Sequence, residues 1–285
     1  MLREYLTFRR ALTLAVFPLF AAAMSSGQDH SLSPANQGKF AADTRSSSDE
    51  SVIPPGTILP VKLRSTISSD KAKPGQVILA TVAQNVPLPG GAFLREGSRV
   101  EGRVLEVSPN TISIRFDKVY LHGKAIPVTT NLRAIAGFMA VLEAGVPEEA
   151  PSEGTPFDWL TTTQIGGDSV YGVGGPVMSA ENTDEVVGRS VNGGVLSRVS
   201  AKEGTKCRGP VAGNNAPQAL WVFSSDACGV YGMEHVNIVH SGRTSPEGNF
   251  VLASDTQRLK LSSGDALLLR VNGTGSGQRI STKTD

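Results

Sequence analysis

From Val52 onward the chain is written in short apolar runs, many alternating with polar residues and most ending at glycine or proline. The clearest is 111–117, where Ile112, Ile114 and Phe116 alternate with Ser113, Arg115 and Asp117. That period of two puts the apolar set on one face of a half-buried sheet. Similar runs predict strands over 58–63, 76–84 and 98–107. Residues 118–121 and 124–128 predict two more, and His122 and Gly123 between them suit a hairpin tip with positive φ. Further strands are predicted at 194–199, 219–224, 230–239, 249–253 and 266–271. Only 134–145 (AIAGFMAVLEAG) carries a helical pattern, and the stretch 147–156 (PEEAPSEGTP) then breaks regular structure.

These elements imply an all-β fold, with a partly barrel- or sandwich-like antiparallel core and a glycine-rich second region. A turn motif recurs at both ends: Ile53-Pro-Pro-Gly56, Leu94-Arg-Glu-Gly97 and Leu261-Ser-Ser-Gly264 each run into a strand. Any β-protein can reuse such a turn. If the echo reflects structure, the last strand joins the same barrel or sandwich as the first, and 134–200 becomes an insertion.

Composition supports many turns, with 31 glycines and 17 prolines, and few long helices. The N-terminus adds a destination. Arg3, Arg9 and Arg10 precede the apolar run 11–24, which contains Pro18 and ends in small residues, Ala21 and Ala23 fitting a cleavage site. A spanning helix needs roughly 20 apolar residues, so 1–23 reads as a signal peptide, an uncleaved anchor being the alternative. No cysteine follows it for lipid attachment. Residues 24–51 are polar and serine-rich and read as a tether; 273–285 read as a disordered tail. Between them lie a β region at 52–133, a short helix with a proline-rich linker or insertion at 134–156, and the glycine-rich β region at 157–272.

The formal charge is +1, and removing Arg3, Arg9, Arg10 and Glu4 with the signal leaves about −1. Nucleic acid needs a clustered basic face, and no window supplies one. The two cysteines, Cys207 and Cys228, form an even count in an exported chain and are expected to pair. Closing that loop would stabilise the second region by roughly 3 kcal/mol; two buried thiols are the alternative.

The search for chemistry gives no catalytic residue, metal ligand or cofactor motif. Gly167-Asp168-Ser169-Val170 resembles the nucleophile block of GDSL-type hydrolases, but the Asp-x-x-His partner is missing. A hydrolase assembled from Ser169, Asp168 and His235 is the enzymatic alternative, against a plain polar turn. Glu234, His235 and His240 lie close in sequence, yet the two histidines differ by five positions and point to opposite faces of a strand unless it bulges. Trp159 or Trp221 could stack on a sugar if exposed, whereas 220–223 also reads as a buried strand.

The region from Ile53 to Val128 resembles the TrbI family, the periplasmic β-barrel subunit of type IV secretion and conjugal-transfer complexes. The residues concerned are Ile53-Pro-Pro-Gly56-Thr57, Ser69-Asp70, Pro74-Gly75-Gln76-Val77, Ala80-Thr81-Val82, Leu94, Gly97-Ser98-Arg99, Gly102, Arg115-Phe116 and Gly123-Lys124-Ala125-Ile126-Pro127, with 261–271 similar to the family's final strand. The resemblance implies a β-barrel and a non-enzymatic role in envelope binding or assembly, with other envelope proteins or further copies of the chain as partners. The chain departs from the family in three ways. A cleavable-looking signal replaces the cytoplasmic segment and spanning helix, 134–145 is too short for the family's pore-forming helical hairpin, and the cysteine-bearing half has no counterpart. The expected location is the periplasm or outer membrane, or outside the cell, with no transmembrane span after cleavage.

Overall fold

A computed structural model describes residues 53–146, 161–199, 216–256 and 258–274. The signal peptide, the tether, the linker 147–156, Trp159, Cys207 and residues 275–285 lie outside these. The first strands are β1 (Ile58–Leu63), β2 (Ile67–Ser68), β3 (Val77–Val82), β4 (Val86–Pro87), β5 (Phe93–Leu94), β6 (Arg99–Ser108), β7 (Thr111–Leu121) and β8 (Lys124–Ala136), followed by helix α1 (Phe138–Glu143). Then come β9 (Thr161–Thr163), β10 (Ser169–Tyr171), β11 (Pro176–Met178), β12 (Val186–Val191), β13 (Gly194–Ser197) and β14 (Gln218–Ala219). The last are β15 (Gly229–Tyr231), β16 (Val236–Ser241), β17 (Phe250–Ser254), β18 (Lys260–Leu261) and β19 (Ala266–Thr274).

Six of these strands close an antiparallel barrel in the order β8, β19, β1, β3, β6, β7 and back to β8. Alternate residues fill it: Leu59 and Val61 from β1, Ile78 and Ala80 from β3, Val100 and Val104 from β6, Ile112, Ile114 and Phe116 from β7, and Leu267 and Leu269 from β19. The final strand therefore does lie beside the first, with Ile58 opposite Arg270 and Lys62 opposite Ala266. Closure leaves these barrel strands no open edge.

β7 is a single strand where the alternation predicts two. Lys118 pairs with Glu101 and Phe116 with Gly102, so Asp117 is an extra, bulged residue that shifts the inward set from Phe116 to Val119. Gly102 is required there, because a Cβ would stand 2.3 Å from the Arg115 carbonyl oxygen and 2.8 Å from the Phe116 ring. The predicted hairpin forms as read, with φ of 49° at His122 and 80° at Gly123.

The helix is shorter than predicted, because Ala134, Ile135 and Ala136 belong to β8. Their backbone pairs with β19 on one side and, in parallel, with β15 on the other. Ladders on both sides outweigh the helix preference of alanine, which is worth only tenths of a kcal/mol per residue. Among the described residues no helix is long and apolar enough to cross a membrane. At the other end β19 continues to Thr274, opposite Val128, so the predicted tail boundary at 273 falls inside a strand.

Leu267-Leu268-Leu269 is a continuous apolar run, and such a run is buried on both faces. Leu267 and Leu269 face the barrel interior. Leu268, with Ala266, Ala134, Ala136 and Ile58, packs outward against Ile165, Val177, Val195, Leu220 and Phe223. The outward cluster is covered by a second antiparallel sheet in the order β14, β13, β12, β11, β10, β9. Two buried glutamines fasten it. Gln84 donates to the Val195 carbonyl at 2.8 Å and accepts the Trp221 N–H at 2.6 Å, while Gln218 accepts the Ile58 N–H at 3.2 Å. The sequence pattern does not anticipate β9, β10, β11 or β12, three-to-six-residue strands in a glycine-rich stretch.

Candidate functional site

The principal sheet has two ends, β15 and β16, and both border one hollow of about 650 Å³. Strand β7 creates the space. Its residues 118–121 pair with β8, whereas residues 111–114 pair with β17, which in turn carries β16. From Val128 onward β8 leaves β7 and is next paired on that side by β15, at Ala134–Ala136. The cleft lies between the departing part of β8, β15 and β16. Leu132, Val230, Met233, Val236 and Ile238 form the apolar part of a lining that also includes Glu234, Asn237 and Ser241.

Two bulges shape this wall. In β8, Leu132 pairs with Leu269 and Ala134 with Leu268, so Arg133 is the extra residue. In β16, Ile238 pairs with Leu252 and His240 with Val251, making Val239 the extra residue. A bulge re-aims its side chains. Arg133 is only 7% exposed, yet borders the cleft, and Val239 also borders it while remaining 66% exposed. The Arg133 guanidinium donates through Nε to the Ala227 carbonyl at 3.0 Å and through Nη2 to the Ser225 carbonyl at 3.3 Å. Burial lowers it to about 10, Arg243 and Arg270 push the same way, and Asp226 opposes them. Arg243, also on the cleft, is lowered by burial and by Arg270.

A second hollow of about 490 Å³ adjoins the first across Met233 and Glu234 and is bordered by Phe138, Met139, Arg258 and Lys260. The Asp265 carboxylate holds the first turn of α1 beside it, accepting the Phe138 N–H at 2.9 Å.

Asp168, His235 and His240, singled out from the sequence, have separate partners. Asp168 is buried and spends its two carboxylate oxygens on backbone amides, Ala180 at 3.0 Å and Ser225 at 2.7 Å, tying the second sheet to the 224–228 turn. Ser169 lies in β10, and among the described residues no hydrogen bond joins it to a histidine. His235 pairs with Asp255 at 2.9 Å, and Nδ1 of His240 contacts the Asn249 carbonyl at 2.7 Å. Among the described residues no three histidine, cysteine, aspartate or glutamate side chains are grouped to hold a metal ion. The predicted strand 219–224 is instead a turn: β14 ends at Ala219, Trp221 has a φ of 54°, and Leu220 and Phe223 both drop into the outer core. Trp221 is half-buried with the Lys62 ammonium 5.2 Å from its ring centre. The predicted strand 230–239 divides into β15 and β16 at the turn 232–235, where Gly232 has a φ of 61°.

No free cysteine stands among the described residues, and Cys228 borders the cleft. The expected Cys207–Cys228 staple is not seen among them, because Cys207 lies outside. Arg133 escaped the sequence reading, since an arginine in an apolar strand gives no sign of a bulge, and Arg243 lies in a bend after β16 that carries no pattern. No protein-family model matches the chain, and no curated protein matches it.

Proposed function

We propose that the protein is an exported, non-enzymatic component of a cell envelope that binds and helps assemble other envelope proteins, and that the cleft receives an extended segment of its partner. The observation carrying this reading is that both ends of the principal sheet, β15 and β16, border one cleft of mixed polar and apolar lining. A strand edge offers unpaired backbone donors and acceptors, and an extended segment can add to it. The resemblance of residues 53–128 to TrbI-like periplasmic barrels and the signal-like N-terminus support the assignment to the envelope. A Cys207–Cys228 disulfide belongs to the same proposal. It would tether the start of β15, beside the cleft, to the second region.

The test places a photo-crosslinking amino acid at Val239, with Val173 in the turn between β10 and β11 as a similarly exposed control (66% and 74%). Crosslinking is done in intact cells, and the products are fractionated and sequenced. The expected result is a product specific to Val239, in the envelope fraction, joined to one short segment of a partner. Equal products at the two positions, or recovery of the protein as a free monomer in the medium, would overturn the reading.

A further inference from the structure

The two strands that border the cleft are joined by the turn 232–235 but do not pair with each other. β15 runs parallel to β8 over its 3 residues. β16 runs antiparallel to β17 over 6 residues and, among the described residues, has no strand on its other side. Hydrogen bonds at its start fix which way its backbone groups face. The His235 carbonyl accepts the Asp255 N–H at 3.1 Å, on the β17 side, whereas the Val236 N–H turns the other way, to the Met233 carbonyl at 3.1 Å. Consecutive residues of such a strand direct their N–H and C=O groups to opposite sides. Asn237 therefore bonds β17, and Ile238 aims both groups away from it, towards the cleft. β17 agrees: the Ser254 N–H goes to the Asn110 carbonyl at 2.8 Å, away from β16, which leaves Ala253, opposite Asn237, to face β16. The side chains of Val236 and Ile238 are half-buried and pack against the barrel core, as do those of Val230 and Met233. All four also line the cleft, so the core is only partly covered there.

Resting on the reading that the cleft receives an extended segment, we infer that β16 is the receiving edge, that the segment lies antiparallel to it with Ile238 as backbone anchor, and that every second residue of the segment is apolar. β16 offers 6 residues against 3 in β15, and antiparallel pairing is slightly more stable per residue than parallel. In an antiparallel ladder the residue opposite Ile238 exchanges both N–H···O bonds with it and carries its side chain on the same face. That face is the barrel core. The residues that bond β16 are therefore the apolar ones, and those between them turn their N–H groups away from β16. A parallel segment reverses the assignment, because the bonds of Ile238 then go to the two residues flanking the one opposite.

The experiment uses the full chain and a fluorescent, end-blocked hexapeptide of alternating valine and threonine, with binding read by anisotropy. Two further versions are N-methylated, one at a central valine and one at the threonine beside it, so that each lacks a single backbone donor. The valine methyl is expected to weaken binding about tenfold and the threonine methyl by less than about twofold. Ile238→Pro removes the N–H on the side away from β17, where an edge strand accepts proline. It should weaken binding more than Ile238→Ala, which keeps that N–H. If the proline variant fails to fold, the methylated peptides still test the unaltered chain. Loss at the threonine alone overturns the antiparallel assignment. Equal loss at both positions overturns β16 as the single receiving edge and leaves the strand-receiving cleft intact, whereas loss at neither overturns backbone pairing altogether. Equal binding of a peptide with three valines followed by three threonines overturns the alternating pattern. Failure of every peptide to bind, the unmodified one included, removes the cleft reading and this inference together.

Discussion

Replacing Gln84 by methionine tests how the second sheet is held to the barrel. Gln84 is 1% exposed and follows β3, with its amide reaching across to β13 and the Trp221 turn. Methionine fills a similar volume, so the change removes two hydrogen bonds with little cavity. The Val195 carbonyl keeps the Leu220 N–H at 3.2 Å and loses only its second donor. The Trp221 N–H loses the acceptor it has at 2.6 Å. An ordinary hydrogen bond is worth about 1 kcal/mol net, and a buried donor left unsatisfied costs about 1–3 kcal/mol. The sum is about 2–4 kcal/mol of unfolding stability, with the Trp221 end dominating. Urea unfolding followed by circular dichroism measures the total, and amide hydrogen exchange at Trp221 locates it. The reasoning is refuted if stability falls by less than about 0.5 kcal/mol while Trp221 exchange stays unchanged, since the two sheets would then be held by apolar packing alone.

Two carboxylates should give pH dependences of opposite sign. The Lys118 hydrogen bond, with Tyr120 and the charges of Lys118 and Arg99, holds Glu101 below its usual value of 4.5. Its contribution is therefore complete above about 4.5 and lost as pH falls through the lowered folded value, and Glu101→Gln should cost at most about 1 kcal/mol at neutral pH and nothing in strong acid. Burial raises Asp265 above 3.8, against the Ser262 and Phe138 amides. Its protonated form is favoured in the folded state, so this contribution is present below about 3.8 and disappears as pH rises through the raised value. Wild type should then lose stability relative to Asp265→Asn over that interval in paired urea titrations. Gly102→Ala sets a Cβ 2.3 Å from backbone at the β7 bulge, and should cost about 1–3 kcal/mol by thermal or urea unfolding. Cys207→Ser with Cys228→Ser should lower stability by roughly 3 kcal/mol if the pair is bonded, and mass spectrometry of the unreduced chain should lack two hydrogens.

Period-two alternation made β3, β6, β7 and β17 legible to within a few residues, because a strand half-exposed to water must sort its side chains by face, and β1 was legible as a short apolar run. The hairpin at His122 and Gly123 was equally legible, since few residues accept positive φ. The pattern failed where a partner strand, and not the segment itself, decides the outcome. Residues 134–136 carry a helical composition but are claimed by β19 and β15. Leu220 and Phe223 look like strand residues but are three apart across a turn around Trp221.

What the sequence determined by itself was therefore local: the all-β class, the hairpin turn at His122 and Gly123, and the apolar face of the alternating strands. Tertiary structure decided between the two readings of the recurring turn, setting β19 beside β1 to close the barrel, and it turned Leu268 towards a second sheet. It also set β15 and β16 on either side of one cleft, and made Arg133 and Val239 the bulged residues in its wall. A bulge has no signature of its own in the chain, because it arises from a mismatch of one residue between two strands that are far apart in sequence. The cleft is built from such mismatches, which is why its residues emerge only once the strands are paired.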